Sequence, residues 1–347
     1  MKFFAPLVLT LLASLPFSAI AENAGTDAPP TYEENLPASV KNHEAHFWTL
    51  TMENDLFGNG RDENYTNGTR LTYHKKGEAP YFLTRWLADV LPPFEVNKST
   101  TVYYAAGQNL YTPEDITAPN PDPNDRPYAA FLYGSAGFST LKGNHVDDIE
   151  LTLGIIGPAA LGEEVQSAVH DVINSDDPEG WDFQLENEPG VMLSWQRRWP
   201  GAVGTEVGPF YFRVMPHAGA TVGNVYTYGA GGLTLQLTPK QNRWQSQPLR
   251  VRPAIPGSGQ FEPATPGWSL FVGTEGRAVV RDITLDGNTF TSSRSVDKKH
   301  FVADISGGVS LTYGNMRASY TLNWRSKEFN GQDDSSLFGA ISVGWRF

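Results

Sequence analysis

The chain has 347 residues, 26 Lys and Arg against 38 Asp and Glu, and a formal net charge of −12. That balance argues against nucleic acid as a partner, because a phosphate backbone needs a basic surface, and aromatic residues at 12 % exclude disorder over most of the length. The absence of cysteine removes disulfides, thiolate zinc sites and cysteine nucleophiles together.

The N-terminus reads as an export signal. Lys2 is a positive n-region, Leu7 to Leu15 supply a short apolar core, and Ala19-Ile20-Ala21 is a small-x-small cleavage site, so residues 1–21 form a signal peptide. Residues 22–44 are an acidic leader expected to be mobile. No later stretch holds the roughly 18 apolar residues of a spanning helix.

From residue 45 to 347 the pattern has period two. Twelve strands are expected, starting near 46, 66, 99, 128, 146, 189, 208, 228, 267, 300, 315 and 335. In the last of them Leu337, Gly339, Ile341, Val343, Trp345 and Phe347 alternate with Phe338, Ala340, Ser342, Gly344 and Arg346, so one face is apolar and the other mostly small or polar. The segment before it sets Met316, Ala318, Tyr320, Leu322 and Trp324 against Arg317, Ser319, Thr321, Asn323 and Arg325. These strands are longer than the usual five or six residues of a soluble sheet. Trp48, Tyr73, Tyr103, Trp195, Trp324 and Trp345 cluster near their ends, as interfacial girdles require. A terminal Trp345-Arg346-Phe347 adds to the same conclusion. The fold class expected is all-β, a twelve-stranded antiparallel transmembrane barrel in the bacterial outer membrane.

An even count returns both ends to the periplasm and makes the 1–2, 3–4 and 5–6 loops extracellular. Two periplasmic connections are long: 77–98 holds a helix-like Tyr81–Leu91, and 239–266 is Pro-rich and reads as an irregular loop. Polar clusters collect at the extracellular rim. They are Glu53-Asn54-Asp55, Asn64-Tyr65-Thr66-Asn67-Gly68, Gln108-Asn109 and Asn124-Asp125-Arg126-Pro127. Any one of them is a turn signal; four at one rim point to a site.

Loop 5–6 carries a helix from Ala159 to about Asn174. Leu161, Val165, Ala168, Val169, Val172 and Ile173 form its apolar stripe, while Gln166 and His170, one turn apart, point to one place. No G-x-S-x-G elbow and no H-E-x-x-H zinc helix is present. What remains is a hard-ligand set without a nucleophile. Asn54, Asp55 and Thr66 suit an oxygen-liking cation, and His170 suits a general base that activates water on an ester.

The ordered set Met52-Glu53-Asn54-Asp55-Leu56, Tyr65-Thr66-Asn67-Gly68, Asp125-Arg126-Pro127-Tyr128-Ala129 and Gly154-Ile155-Ile156-Gly157-Pro158…Gln166…His170 resembles the outer-membrane lipid A 3′-O-deacylases. The likeness runs from about 46 to 347 and is densest over 46–190. It implies an ester hydrolase of the outer leaflet, dependent on Ca2+, that removes the 3′-linked acyloxyacyl chain of lipid A in lipopolysaccharide. By position it implies metal ligands at Asp55 and Thr66 and catalytic roles for Asn54, Gln166, His170 and Asp176. Asp176 stands where the family pattern has a glutamate, a shorter carboxylate. A second departure is the 3–4 loop, where Glu114, Asp115, Asp122 and Asp125 face a phosphorylated substrate; Arg61, Arg70 and Lys142 are the cations offered in compensation. A membrane-embedded monomer is expected. An outer-leaflet lipid esterase of different preference, phospholipase-like, and a non-enzymatic structural barrel are the competing readings.

Overall fold

The structure is a computed structural model and describes residues 31, 46–58, 64–76, 96–97, 99–173, 175–242 and 266–347. The export signal, the leader apart from Thr31, the Tyr81–Leu91 helix, Arg61 and most of the Pro-rich connection lie outside the described residues.

The described chain is an antiparallel barrel. Its strands are β1 (His46–Asn54), β2 (Asn64–Lys76), β3 (Thr101–Thr112), β4 (Ala129–Lys142), β5 (His145–Ile156), β6 (Glu188–Arg198), β7 (Val203–Val207), β8 (Phe210–Gly223), β9 (Tyr226–Pro239), β10 (Gly267–Asp282), β11 (Phe301–Tyr313), β12 (Met316–Arg325) and β13 (Ser336–Arg346). Each pairs with its neighbour in order except β6 and β7, which both pair with β8, and β1 pairs with β13 to complete the ring. Thirteen segments make twelve walls. β8 pairs with β6 through Met192↔Gly223 to Arg198↔His217 and with β7 through Val203↔Val214 to Val207↔Phe210, so β6 and β7 are one strand broken at 199–202. The break lies opposite Pro216, which has no N–H for the ladder but accepts a hydrogen bond from the Trp199 amide at 2.9 Å. The twelve expected strands are therefore present, within two residues or so of their expected starts.

Period two sets the two faces. Trp48, Leu50 and Met52 on β1, Leu71 on β2, Leu132 on β4 and Leu151 and Leu153 on β5 face outward and are exposed, as a lipid-facing band requires. The register sets Trp345, Trp48, Tyr73 and Tyr104 side by side across four strands, which is the aromatic girdle in three dimensions. Tyr103, expected in that girdle, instead points inward and is fully buried; its neighbour Tyr104 takes the place.

The opposite face is polar and self-paired. Arg70 Nη2 lies 2.6 Å from Glu150 Oε2, Arg325 Nε 3.0 Å from Asp304 Oδ1, and Arg277 Nη2 3.1 Å from the same carboxylate oxygen. Toward the end that carries the loops 113–128, 157–187, 283–300 and 326–335, Tyr111, Phe131, Tyr133, Met192, Phe338, Leu185 and Ile283 form a buried cluster inside the barrel. Long loops mark the extracellular end of such barrels and short turns the periplasmic end. Three short turns, at Gly143, Gly208 and Gly314, are at the other rim with φ of 54°, 56° and 56°, a region open mainly to glycine, while Asn224-Val225 makes a short turn at the loop-bearing rim.

Candidate active site

The site is built where β1 to β5 meet the loop between β5 and β6. After β5 the chain makes a 3-10 turn over Pro158–Ala160, and Leu161, at φ 58°, swings it into α1 (Gly162–Ile173). A non-glycine residue in the left-handed region is strained and has to be held by its surroundings. Gln108 supplies part of the hold: its Nε2 donates to the carbonyl oxygens of Ala160 at 2.6 Å and Leu161 at 3.3 Å.

Helix α1 lies on the outer surface of the wall. Leu110 on β3 and Ala130 on β4 occupy outward positions, yet both are buried, packed with Ala160 and Trp181 and flanked by Val165. Protein covers here what lipid covers elsewhere. The face of α1 turned inward is Gly162, Gln166 and His170, all buried, and not the apolar stripe expected from its periodicity. Leu161 is half exposed and Val172 is 86 % exposed. Polar partners beneath the helix account for the rotation. The Trp181 indole Nε1 donates to Gln166 Oε1 at 2.8 Å, and His170 Nδ1 donates to the main-chain carbonyl of Asp176.

That second bond fixes the tautomer. A carbonyl only accepts, so Nδ1 carries the proton and Nε2 of the neutral ring carries the lone pair. Asp176 reaches His170 with its main chain, while the residue itself is exposed. The carboxylate expected at this position thus contributes a peptide oxygen instead.

Asn54 and Asp55 end β1. Asn54 caps the 3-10 turn over Asp55–Phe57, and both Asn54 Oδ1 and Asp55 Oδ1 accept from the Leu56 amide, at 2.8 and 2.9 Å. Asp55 is 2 % exposed. The register connects this end to the helix: Asn54 pairs with Asn67, Asn67 with Leu110, and Leu110 with Ala130, whose carbonyl accepts from the Gly157 amide. One rung thus joins the β1 turn to the wall beneath α1, over three strand spacings or about 14 Å. Thr66 sits in the register shift between Asn64 and Asn67, a bulge of the kind that re-aims side chains. Its own side chain is outside the described residues.

On this rung and the next, polar side chains interrupt the apolar outward band, beside Leu110 and Ala130. Asn67, Thr69 and Gln108 share that face with Asn54, and Thr69 pairs with Gln108 across the ladder. Of the sequence candidates, Gln166 and His170 are brought together on one buried face, and Asn54 and Asp55 stand at the same height along the same wall. Trp181, Gly162 and Gln108 were not singled out from sequence as partners of the helix.

Other expected contributors lie elsewhere. Arg70 is buried in the lumen with both terminal guanidinium nitrogens on Glu150, and Lys142 is at the rim of the Gly143 turn, so neither reaches this face. Arg126 is also internal, beside Glu328 at 3.5 Å and over the Tyr111 ring. Burial opposes a charge on Glu328, but the guanidiniums of Arg325 and Arg126 outweigh it and hold the carboxyl below its ordinary range. The acidic 3–4 loop forms an open cleft with Gln332 and Asp333. Its carboxylates cap their own loop: Asp125 accepts from the Glu114 and Arg126 amides and Asp122 from the Asn124 amide. The turn reading holds for that cluster.

A model of the family described as outer membrane protein LpxR matches residues 7–347. Among solved structures, LpxR from Salmonella typhimurium is similar over 87 % of this chain and 100 % of its own, at 21 % identity and a TM-score of 0.70. The β domain of the Bordetella autotransporter BrkA aligns over 87 % of this chain and 98 % of its own, at 9 % identity and a TM-score of 0.40. No curated protein matches the chain by sequence.

Proposed function

Since the chain belongs to the LpxR family of outer-membrane proteins, we propose that it is a lipid A 3′-O-deacylase, hydrolysing the ester of the 3′-linked acyloxyacyl chain. The observation that carries the reading is His170, a histidine buried against the outer wall with its tautomer set by a main-chain carbonyl. A solvated surface histidine needs neither burial nor a fixed tautomer. In this position Nε2 takes a proton from water as the oxygen attacks the ester carbonyl, and the protonated ring returns it to the leaving alcohol. Gln166, one turn earlier, orients the reacting groups. An acyl chain remains in the leaflet while its ester enters beneath α1.

We assign a hard cation, Ca2+, to the β1 end. Ca2+ takes six to eight oxygen ligands, and the buried Asp55 carboxylate, the Asn54 amide and the Thr66 hydroxyl are of that chemistry. Among the described residues no three His, Cys, Asp or Glu side chains cluster as a metal site. Main-chain oxygens and water would therefore complete the set. Bound there, the ion supplies polarisation of the ester carbonyl.

A second reading is an esterase acting on a less phosphorylated outer-leaflet lipid, and one observation favours it: Arg70 and Arg126 are committed to the lumen. Mass spectrometry of lipid A and phospholipids from cells expressing the protein, with and without chelation, separates these readings. Loss of one acyloxyacyl unit from lipid A, blocked by chelator, is expected. Unchanged lipid A with cleaved phospholipid would transfer the activity to the second substrate class, and no change in either would leave a structural barrel.

A further inference from the structure

We propose that Trp181 is a positioning residue that fixes which end of the Gln166 amide faces the substrate; the inference rests on the hydrolase reading above. The two ends of a glutamine amide differ only in chemistry, and a rotation of 180° exchanges them. An indole N–H can only donate. With Trp181 Nε1 at 2.8 Å, the carbonyl end of Gln166 has to point at the indole, and the two N–H donors then lie on the opposite edge of the amide.

The indole has no room to yield. Trp181 is 1 % exposed, its ring is tilted on Tyr128 at 4.8 Å, and it packs with Leu110, Ala130 and Ala160. Gly162 makes that fit possible, since a Cβ there would lie 2.5 Å from the ring edge and 2.6 Å from the Ala130 methyl. The flipped amide would set N–H against N–H in a dry contact, which buried polar groups avoid. On the hydrolase reading, Trp181 therefore makes Gln166 present a donor and not an acceptor to the substrate, and donors aimed at the charge that an ester carbonyl develops are what accelerate acyl transfer. A carbonyl presented instead would repel that charge.

Two sets of measurements test this on the folded barrel in detergent. In kinetics, Trp181→Phe keeps a ring and removes the N–H; kcat is expected to fall about 10- to 100-fold with KM within a few-fold. In a Gln166→Ala background, Trp181→Phe should cost nothing further. Gln166→Glu retains an acceptor for the indole but offers no donor, and should lose as much as Gln166→Ala. Should Trp181→Phe misfold, benzothienylalanine at position 181, with sulfur replacing the N–H, preserves the shape and should show the same loss. A rate within twofold of wild type for either variant, or losses that multiply in the double variant, would overturn the proposal. Independently of activity, the Trp181 indole resonance in 15N spectra, identified by its absence in Trp181→Phe, should shift on Gln166→Ala. An unmoved resonance would remove the bond itself. If wild-type protein releases no acyl chain while that resonance moves, the hydrolase reading has failed and the contact stands.

Discussion

Imidazole is a base near neutral pH, with an ordinary pKa of about 6.5, so what matters at residue 170 is which nitrogen keeps the lone pair. His170→Asn should lower the deacylation rate roughly 10²–10⁴-fold, as loss of a general base does, while the folded barrel persists. Asp176→Ala should stay within a few-fold of wild type, because the carbonyl that holds the ring belongs to the main chain. The comparison of these two rates is the check, and equal losses would return the role to the Asp176 carboxylate. Gln166 and His170 were legible in the sequence because a spacing of four residues puts them on one helix face. Trp181 was not: it lies beyond the helix in a segment without periodicity, and only tertiary packing brings it back under Gln166. Arg70 misled for a related reason, since strand parity alone does not say which inward residue faces it.

The elements were largely readable, because period two is a strong signal over strands of this length. Helix α1 was found in its place but turned differently, since its apolar residues have two neighbours to choose from, the wall and the surrounding lipid. Buried hydrogen bonds to Trp181 and Asp176 decide the choice, leaving Val172 to the outside. Gly162→Ala, which forces a methyl group toward the Trp181 ring, should destabilise the docked helix by about 1–3 kcal/mol. Activity should fall while the barrel still migrates as a folded species in unheated gels, and full activity would mean that the ring yields. The division of the sixth strand into β6 and β7 was not read from the sequence, where only the strand starts were marked. The β12–β13 loop carries a pH dependence. Glu328 is held below its ordinary range, so its contribution to stability is present above that range and is lost as pH falls through its folded value. The unfolding midpoint of wild type should drop more steeply in acid than that of Glu328→Gln; parallel curves would remove the effect.

At the scale of the whole molecule, pairing of β1 with β13 and of β6 with β8 closes the described strands on one another in the membrane, and the lumen holds buried ion pairs. Removing one partner of a buried pair strands the other, at about 3–5 kcal/mol. Arg70→Met should accordingly lower the temperature at which the folded band disappears, with little change in KM, since Arg70 points into the lumen. A raised KM without loss of stability would place Arg70 with the substrate after all.

Asn54, Asn67, Thr69 and Gln108 face outward from the wall on which α1 lies, and this has a kinetic consequence. A substrate that arrives through the leaflet meets the enzyme in two dimensions, so its effective concentration is a mole fraction. Diluting the lipid with inert detergent at constant bulk concentration should slow turnover, and adding more mixed micelles of fixed composition should not change it once the protein is fully inserted.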